Sequence, residues 1–352
     1  MLEIKNYKIP LSFSVRDAVK QMDRGGIGFC VCIDSNDKVV GIISNGDFRR
    51  GVLNGCDLND NVEKIINKDF VYLSSDYDQK EVNIIFSDNE VQHIPVIDKG
   101  TLVEIITEGT LLGLERDENK QILNNPVVIM AGGKGKRLDP FTRILPKPLI
   151  PLGDDPVIKV IMDGFRKFGI NDFFISLNDK GRMVKAYFHD HESKYQITYI
   201  EEDKPLGTAG ALKFLKDKID VPFFVTNCDI IIKSNYRSIY EFHINGSYDL
   251  TLVGSMQNHI IPYGVCEIDN GGILKELREK PDYTFLVNTG LYVLNPFLFD
   301  LIPKSTYFDM TELIQKVQEN NMKVGVFPVS AGAWNDVGQW HEYKNTTSYL
   351  GL

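Results

Sequence analysis

Residues 127–148 constrain this chain more than any other stretch. They read Val-Val-Ile-Met-Ala-Gly-Gly-Lys-Gly-Lys-Arg-Leu-Asp-Pro-Phe-Thr-Arg-Ile-Leu-Pro-Lys-Pro. The apolar run Val127–Met130 has the length and branching of a buried strand. It stops in a glycine-dense turn made by Ala131, Gly132, Gly133 and Gly135. Arg137 follows at once, and Lys147 stands between Pro146 and Pro148. Backbone N–H groups without a Cβ in front of them can approach an anion closely. With two cations beside the turn, a polyphosphate is the expected anion. The common phosphate motifs do not fit. A P-loop needs a hydroxyl residue after Gly-Lys, and neither Gly133-Lys134 nor Gly135-Lys136 has one. A dinucleotide fingerprint needs a third glycine, but Lys136, Arg137 and Leu138 follow Gly135.

The pattern Gly-Gly-x-Gly-x-Arg-Leu-x-Pro-x-Thr followed by Pro-Lys-Pro resembles the signature of sugar-1-phosphate nucleotidyltransferases. Lys136 stands where that family usually has Thr, which adds a cation and leaves the backbone role of the turn intact.

A chain of 352 residues exceeds one ordinary core, so two or three domains are expected. A formal charge of −9 argues against a general nucleic-acid binder, although residues 134–147 gather five of the Lys and Arg. No apolar run approaches the ~20 residues of a membrane helix. The first residues lack the apolar core of a signal peptide, so the expected location is the cytoplasm. The five cysteines, Cys30, Cys32, Cys56, Cys228 and Cys266, suit free thiols in a reducing compartment. The six histidines form no metal pattern.

The first third repeats itself. Residues 29–34 recur as 93–98, and 39–47 recur as 102–110. Each copy reads helix, strand, tight turn, strand, helix. Val15–Asp23 and Gln79–Ser87 carry helical spacing, and Asn36-Asp37 and Lys99-Gly100 are the hairpin turns. A unit so short cannot cover its own sheet, so the two copies should pack together. The pair resembles tandem CBS domains, a module that usually binds adenine nucleotides. In that family a Ser/Thr-x-x-Asp holds a ribose. The first copy has it as Ser44 and Asp47, while the second ends in Thr107-Glu-Gly-Thr110 and lacks the acid. Nucleotide sensing and a purely structural or dimerising scaffold both remain open. A homo-oligomer through the CBS pair is expected.

The expected division is a first CBS copy over 1–56, a second over 57–114, a linker over 115–124 and a catalytic domain over 125–352. In the last, apolar runs at Val127–Met130, Phe173–Leu177, Ile197–Ile200 and Pro222–Val225 alternate with helical patterns at Val157–Phe168, Lys180–His189 and Gly207–Lys216. This alternation predicts an α/β fold with a doubly wound, mainly parallel sheet and a nucleotide at the strand-end edge, and the nucleotidyltransferase resemblance implies that the sheet is Rossmann-like and mixed.

The resemblance implies attack by a sugar 1-phosphate on the α-phosphorus of a nucleoside triphosphate, with pyrophosphate leaving. The nucleophile is already an anion, so cations and positioning carry the catalysis. Asp229, ending the run Phe223–Asp229, and Asp336, in a loop before Gly338, match the family's positions for Mg2+, though Asn227-Cys228 replaces the usual Gly. Arg137 would grip the leaving phosphates and Lys147 the α-phosphate. Tyr263, Gly264, Glu279, Lys280 and Asn288 match the sugar-phosphate loops. Glu202, Gly207 and Thr208 match the base loop. A carboxylate is acceptor-only and prefers two adjacent donors, which guanine presents. GTP is therefore favoured over UTP, CTP or dTTP. A CBS pair ahead of this core resembles the guanylyltransferases that make GDP-glucosamine for legionaminic acid synthesis, with glucosamine 1-phosphate as substrate. Mannose or heptose 1-phosphate, and a non-catalytic nucleotide sensor, stay open as alternatives.

Overall fold

The computed structural model describes residues 4–338, apart from 26, 79–80, 83–84, 86–90, 92, 108–122, 134, 179 and 190–194. Most of the predicted helix Gln79–Ser87 and of the linker 115–124 lies outside these, as does the end of the second copy's Thr107–Thr110 motif. The chain divides into two compact units, Met1–Lys120 with Asn258–Thr284, and Gln121–Gln257 with Phe285–Leu352.

The first unit contains the repeat. Strand Lys8–Pro10 runs parallel to Phe29–Ile33, which pairs antiparallel with Val39–Ser44. Helices Val15–Gly25 and Asn45–Leu53 flank them. In the second copy Leu73–Ser74, His93–Asp98 and Thr101–Thr107 repeat the arrangement. Both hairpins turn through left-handed backbone, at Asp37 (φ 60°) and at Lys99-Gly100 (φ 48° and 80°). The copies do pack on each other. Tyr7, Phe29, Val31 and Ile42 share one core with Leu102 and Ile105. The Val39 N–H donates to Gly100 O at 2.8 Å. The Phe29 ring stacks on His93 with centroids 5.1 Å apart.

The second unit is built on a seven-stranded sheet. Its order is Gln196–Glu201, Asp172–Leu177, Val127–Met130, Phe223–Asn227, Asp282–Leu294, Leu250–Ile260 and Val324–Val329. The first four strands are mutually parallel, and Phe223–Asn227 meets Asp282–Leu294 antiparallel. The sheet is therefore mixed. Strand alternation assigns side chains to two faces. Val127, Ile129, Phe173, Ile175 and Phe224 join the core under helices Val157–Arg166, Gly181–His189 and Tyr236–Asn245. Val128, Met130, Phe174, Phe223 and Val225 face the other way, toward helix Met310–Glu319. Each such side chain, fully buried, contributes about 1.5–3 kcal/mol.

One predicted helix needs correction. Gly207–Lys216 is not an α-helix; a 3-10 helix spans Gly210–Leu215. The N–H groups of Ala209 and Gly210 both donate to Phe308 O at 3.0 Å, so the segment is held from outside and starts late. Among the described residues, no helix is long and apolar enough to cross a membrane.

Candidate active site

Strand Val127–Met130 is buried throughout and delivers the glycine turn to the sheet edge. The Ala131 N–H extends the parallel pairing by donating to Ser176 O at 3.0 Å. The glycines that follow differ in their reasons. A Cβ on Gly132 would lie 2.7 Å from Glu202 Oε1. Gly135 has φ +64°, and a Cβ there would lie 2.8 Å from Thr142 Cγ2 and 3.2 Å from Lys147 Cβ. Gly133 has nothing within 4 Å of its Cβ position. Two glycines thus let the protein close on itself, and one leaves open space in front of the turn. Arg137 is exposed. Lys180 Nζ donates to Thr142 O at 2.5 Å, and Thr142 Oγ1 lies 3.0 Å from Gly135 O, which ties the far side of the loop down.

Lys147 begins a 3-10 turn, Lys147–Leu149, and its Nζ donates to Asp229 Oδ2. Asp229 ends the strand Phe223–Asn227 and is 8% exposed. Immediately after it, Ile230–Ile232 pairs antiparallel with Trp334–Asp336, in a register that sets Ile230 opposite Asp336. The Val337 N–H donates to Asp229 O at 2.9 Å, and the Gly338 N–H donates to Asp336 Oδ1 at 2.7 Å. Gly338 lies where the three charges meet. A Cβ on it would collide with Asp229 Oδ2 and lie 2.8 Å from Asp336 Oδ1 and 3.2 Å from Lys147 Nζ. Two aspartates about a hundred residues apart in sequence therefore share one small volume with the lysine.

Electrostatics keep this volume charged. Burial works to lower the Lys147 ammonium, but the carboxylates of Asp229 and Asp336 work against it, and the group is raised above its ordinary range. Cys228 is pushed up to about 12, first by burial and then by Asp229. It stays a neutral thiol at ordinary pH and offers no thiolate to a metal or a substrate. Cys30 and Cys32, both buried, are likewise pushed up to about 12 by burial.

The remaining expected residues fall into three places. In the base loop, Glu202 is 8% exposed. Ser176 Oγ donates to its Oε1, and the Leu206 N–H donates to its Oε2 at 2.9 Å. Each oxygen already holds one protein donor. Gly207, with φ +79°, would drive a Cβ to 2.7 Å from Phe308 O. The Thr208 N–H donates to Asp309 Oδ1 at 3.0 Å, and Thr208 Oγ1 accepts from the Met310 N–H at 2.8 Å. The hydroxyl expected at the nucleotide thus caps helix Met310–Glu319. On the sugar side, Asn288 Nδ2 donates to the Tyr292 hydroxyl at 2.8 Å, and its Oδ1 accepts from Gly290 N at 3.1 Å. Within strand Asp282–Leu294, Gly290 has φ +89°, and a Cβ there would lie 2.5 Å from Asn227 Nδ2, two residues before Asp229. Tyr263, Gly264, Glu279 and Lys280 belong to the arm Asn258–Thr284 and are exposed.

In the first unit Ser44 and Asp47 satisfy each other. The Ser44 hydroxyl and N–H donate to Asp47 Oδ2 at 2.6 and 2.8 Å, and Arg50 Nη2 donates to Asp47 Oδ1 at 2.5 Å. This is a capping box at the start of helix Asn45–Leu53. An open cleft of about 590 Å³ lies beside it, lined by Asp47, Arg50, Asn54, Asp60, Lys64 and Asn67.

The sequence reading missed Ser176 and Lys180; it had Thr142 only as the last residue of the glycine signature and Gly338 only as a loop glycine two residues after Asp336.

A model of the nucleotidyl transferase family matches residues 126–350. The chain belongs to that family. The CBS domain model matches twice, over residues 4–54 and 62–117. A mannose-1-phosphate guanyltransferase of Debaryomyces hansenii is 32% identical over 234 residues, covering 63% of this chain and 64% of its own length. A probable mannose-1-phosphate guanylyltransferase of Oryza sativa subsp. japonica is 31% identical, covering 61% of this chain and 62% of its own. The chain thus spans just under two thirds of the length of these relatives. Among solved structures, HddC from Yersinia pseudotuberculosis superposes with a TM-score of 0.51 at 23% identity, over 64% of this chain and 99% of that one. That likeness concerns the fold.

Proposed function

We propose that this protein transfers a guanylyl group from GTP to a sugar 1-phosphate and releases pyrophosphate. The observation that carries the reading is the convergence of Lys147, Asp229 and Asp336 at Gly338. One phosphate oxygen of the sugar phosphate forms a bond to the α-phosphorus, and the bond from that phosphorus to the β-phosphate bridging oxygen breaks. No proton has to move, so what the site must supply is charge and alignment.

The residues suit that task. Asp229 and Asp336 are the pair that would hold Mg2+, an ion that takes one or two protein carboxylates and completes its shell with water and substrate phosphates. Bound there, it would neutralise charge on the phosphates. Lys147 is partly shielded and permanently charged, and it can leave Asp229 for a phosphate oxygen as charge builds. Arg137 is exposed at the turn and can fork onto the leaving phosphates. Gly133 offers its backbone without an obstructing Cβ.

The guanine preference draws on the names of the relatives and on a carboxylate, Glu202, in the base loop. Glucosamine 1-phosphate is the first sugar candidate from the domain architecture, and mannose 1-phosphate is the candidate the relatives suggest. The test is pyrophosphate release with magnesium, using GTP, UTP, CTP and dTTP against a panel of hexose and heptose 1-phosphates. Release with GTP and one hexose phosphate is expected. No release from any pair sinks the reading.

For the CBS pair a scaffold role is favoured over adenine-nucleotide sensing, because Asp47 is already held by Ser44 and Arg50. AMP, ADP and ATP should leave melting temperature and turnover unchanged; a clear shift with any of them would restore sensing.

A further inference from the structure

Ser176 is a buried hydroxyl in apolar company. It lies between Ile175 and Leu177 near the end of strand Asp172–Leu177 and is fully buried. Its register partners on the two neighbouring strands are Met130 and Ile200. Burying a hydroxyl costs stability unless it is hydrogen-bonded, and neither partner's side chain offers an oxygen or nitrogen acceptor. The hydroxyl goes to Glu202 Oε1 instead.

Glu202 is itself held along its backbone. Its N–H donates to Leu177 O at 2.9 Å, and its carbonyl accepts from Asn178 Nδ2 at 2.7 Å. Its carboxylate accepts from Ser176 at Oε1 and from the Leu206 N–H at Oε2. A carboxylate has about four acceptor positions, so one remains on each oxygen. Among the described residues no lysine, arginine or histidine pairs with it. The glycine turn passes directly beside it. A Cβ on Gly132 would lie 2.7 Å from Oε1 and 3.4 Å from Oε2, and the three heavy atoms nearest that position all belong to Glu202. Glycine therefore keeps a side chain out of the space in front of both oxygens. A shielded carboxylate with a vacant acceptor position on each oxygen suits a ligand edge that carries two adjacent donors.

We propose that Ser176 is a positioning residue for base selection. By holding Oε1 it fixes the carboxylate plane, so that Glu202 meets the N1–H and the 2-amino group of guanine together. Hypoxanthine, which lacks that amino group, is thereby disfavoured. The inference rests on the guanylyl-transfer reading above. The last torsion of a glutamate is broad and roughly two-fold, so a carboxylate pinned at one oxygen can swing. Pinned by Ser176 at one oxygen and by Leu206 at the other, it cannot.

The test compares GTP with ITP, whose base is hypoxanthine, in wild type, Ser176→Ala and Ser176→Cys. Alanine removes a single oxygen, and cysteine nearly keeps the shape while being a weak donor. Wild type should prefer GTP by about 10–100-fold in kcat/KM, the worth of one hydrogen bond to a charged acceptor. Both variants should lose most of that preference through a GTP KM raised about tenfold, with kcat and the ITP constants changed little. A merely structural role would depress both substrates alike and keep their ratio, which overturns the proposal. Equal use of GTP and ITP by the wild type also overturns it, on unmutated protein, and leaves guanylyl transfer standing. Turnover with a pyrimidine triphosphate and none with either purine sinks both readings.

Discussion

Lys147 and Asp229 are hydrogen-bonded across 82 residues of sequence, the lysine from a proline-flanked turn and the aspartate from the end of a central strand. Their side chains are 20% and 12% exposed, so the pair is largely removed from water. The lysine is thereby fixed in place and the carboxylate kept neutralised until something more highly charged arrives.

Lys147→Ala should lower kcat by about 10²–10³-fold, the usual effect of removing one preorganised charge stabiliser. It should change the GTP KM far less, because the lysine's gain is largest in the transition state. The same change strands a shielded carboxylate, at a cost of about 1–3 kcal/mol. Single-turnover kinetics and thermal melting read the two effects separately. A raised KM with unchanged kcat contradicts the assignment.

Gly338→Ala should weaken the apparent magnesium dependence about tenfold, on the order of 1.4 kcal/mol. The new methyl would collide with Asp229 and crowd Asp336 and Lys147. Gly338 is not in left-handed backbone, so folding should survive. Magnesium titration of pyrophosphate release checks this, with circular dichroism as the control. An unaltered titration would place the divalent ion elsewhere.

Asp309→Ala tests the structural role of the base loop. It removes the acceptor for Thr208, and the cap on helix Met310–Glu319 loosens with it. The expected loss is about 1 kcal/mol. In a domain of this size that lowers the melting temperature by about 2–4 °C. A much larger fall in turnover than in stability would give the loop a direct hold on substrate.

His93 gives the first unit a pH dependence. Burial lowers its imidazole to about 4. Unfolded, the group titrates near 6.5, so folding favours the neutral ring. Its contribution is complete above about pH 6.5 and is lost as pH falls toward 4, amounting to about 1–3 kcal/mol. Denaturant unfolding at pH 7.5 and pH 5 should show the difference. His93→Phe, which can keep the stack on Phe29, should flatten it.

Local signals survived where the chain decides locally. Strand Val127–Met130 came out with the bounds its apolar run predicted, because both of its faces are covered and no polar residue interrupts it. The hairpin turns at Asp37 and Lys99-Gly100 followed from residues that accept left-handed backbone. Gly207–Lys216 failed because its helical spacing competed with Phe308 O, an acceptor a hundred residues away. Ser44 and Asp47 suggested a ribose site, yet their spacing of three equally describes a capping box, and the box is what the structure forms.

The sequence alone determined the types and order of the parts: a duplicated strand–helix module, a strand ending in glycines, two cations, one aspartate at the close of an apolar run and another in a loop before a glycine. Those follow from periodicity and backbone freedom, which act over a few residues. Only the tertiary structure decided that Asp229, Asp336 and Lys147 share one volume, because that depends on the pairing of Ile230–Ile232 with Trp334–Asp336. Such register is set by which apolar faces can be buried together, and no short stretch of chain records it.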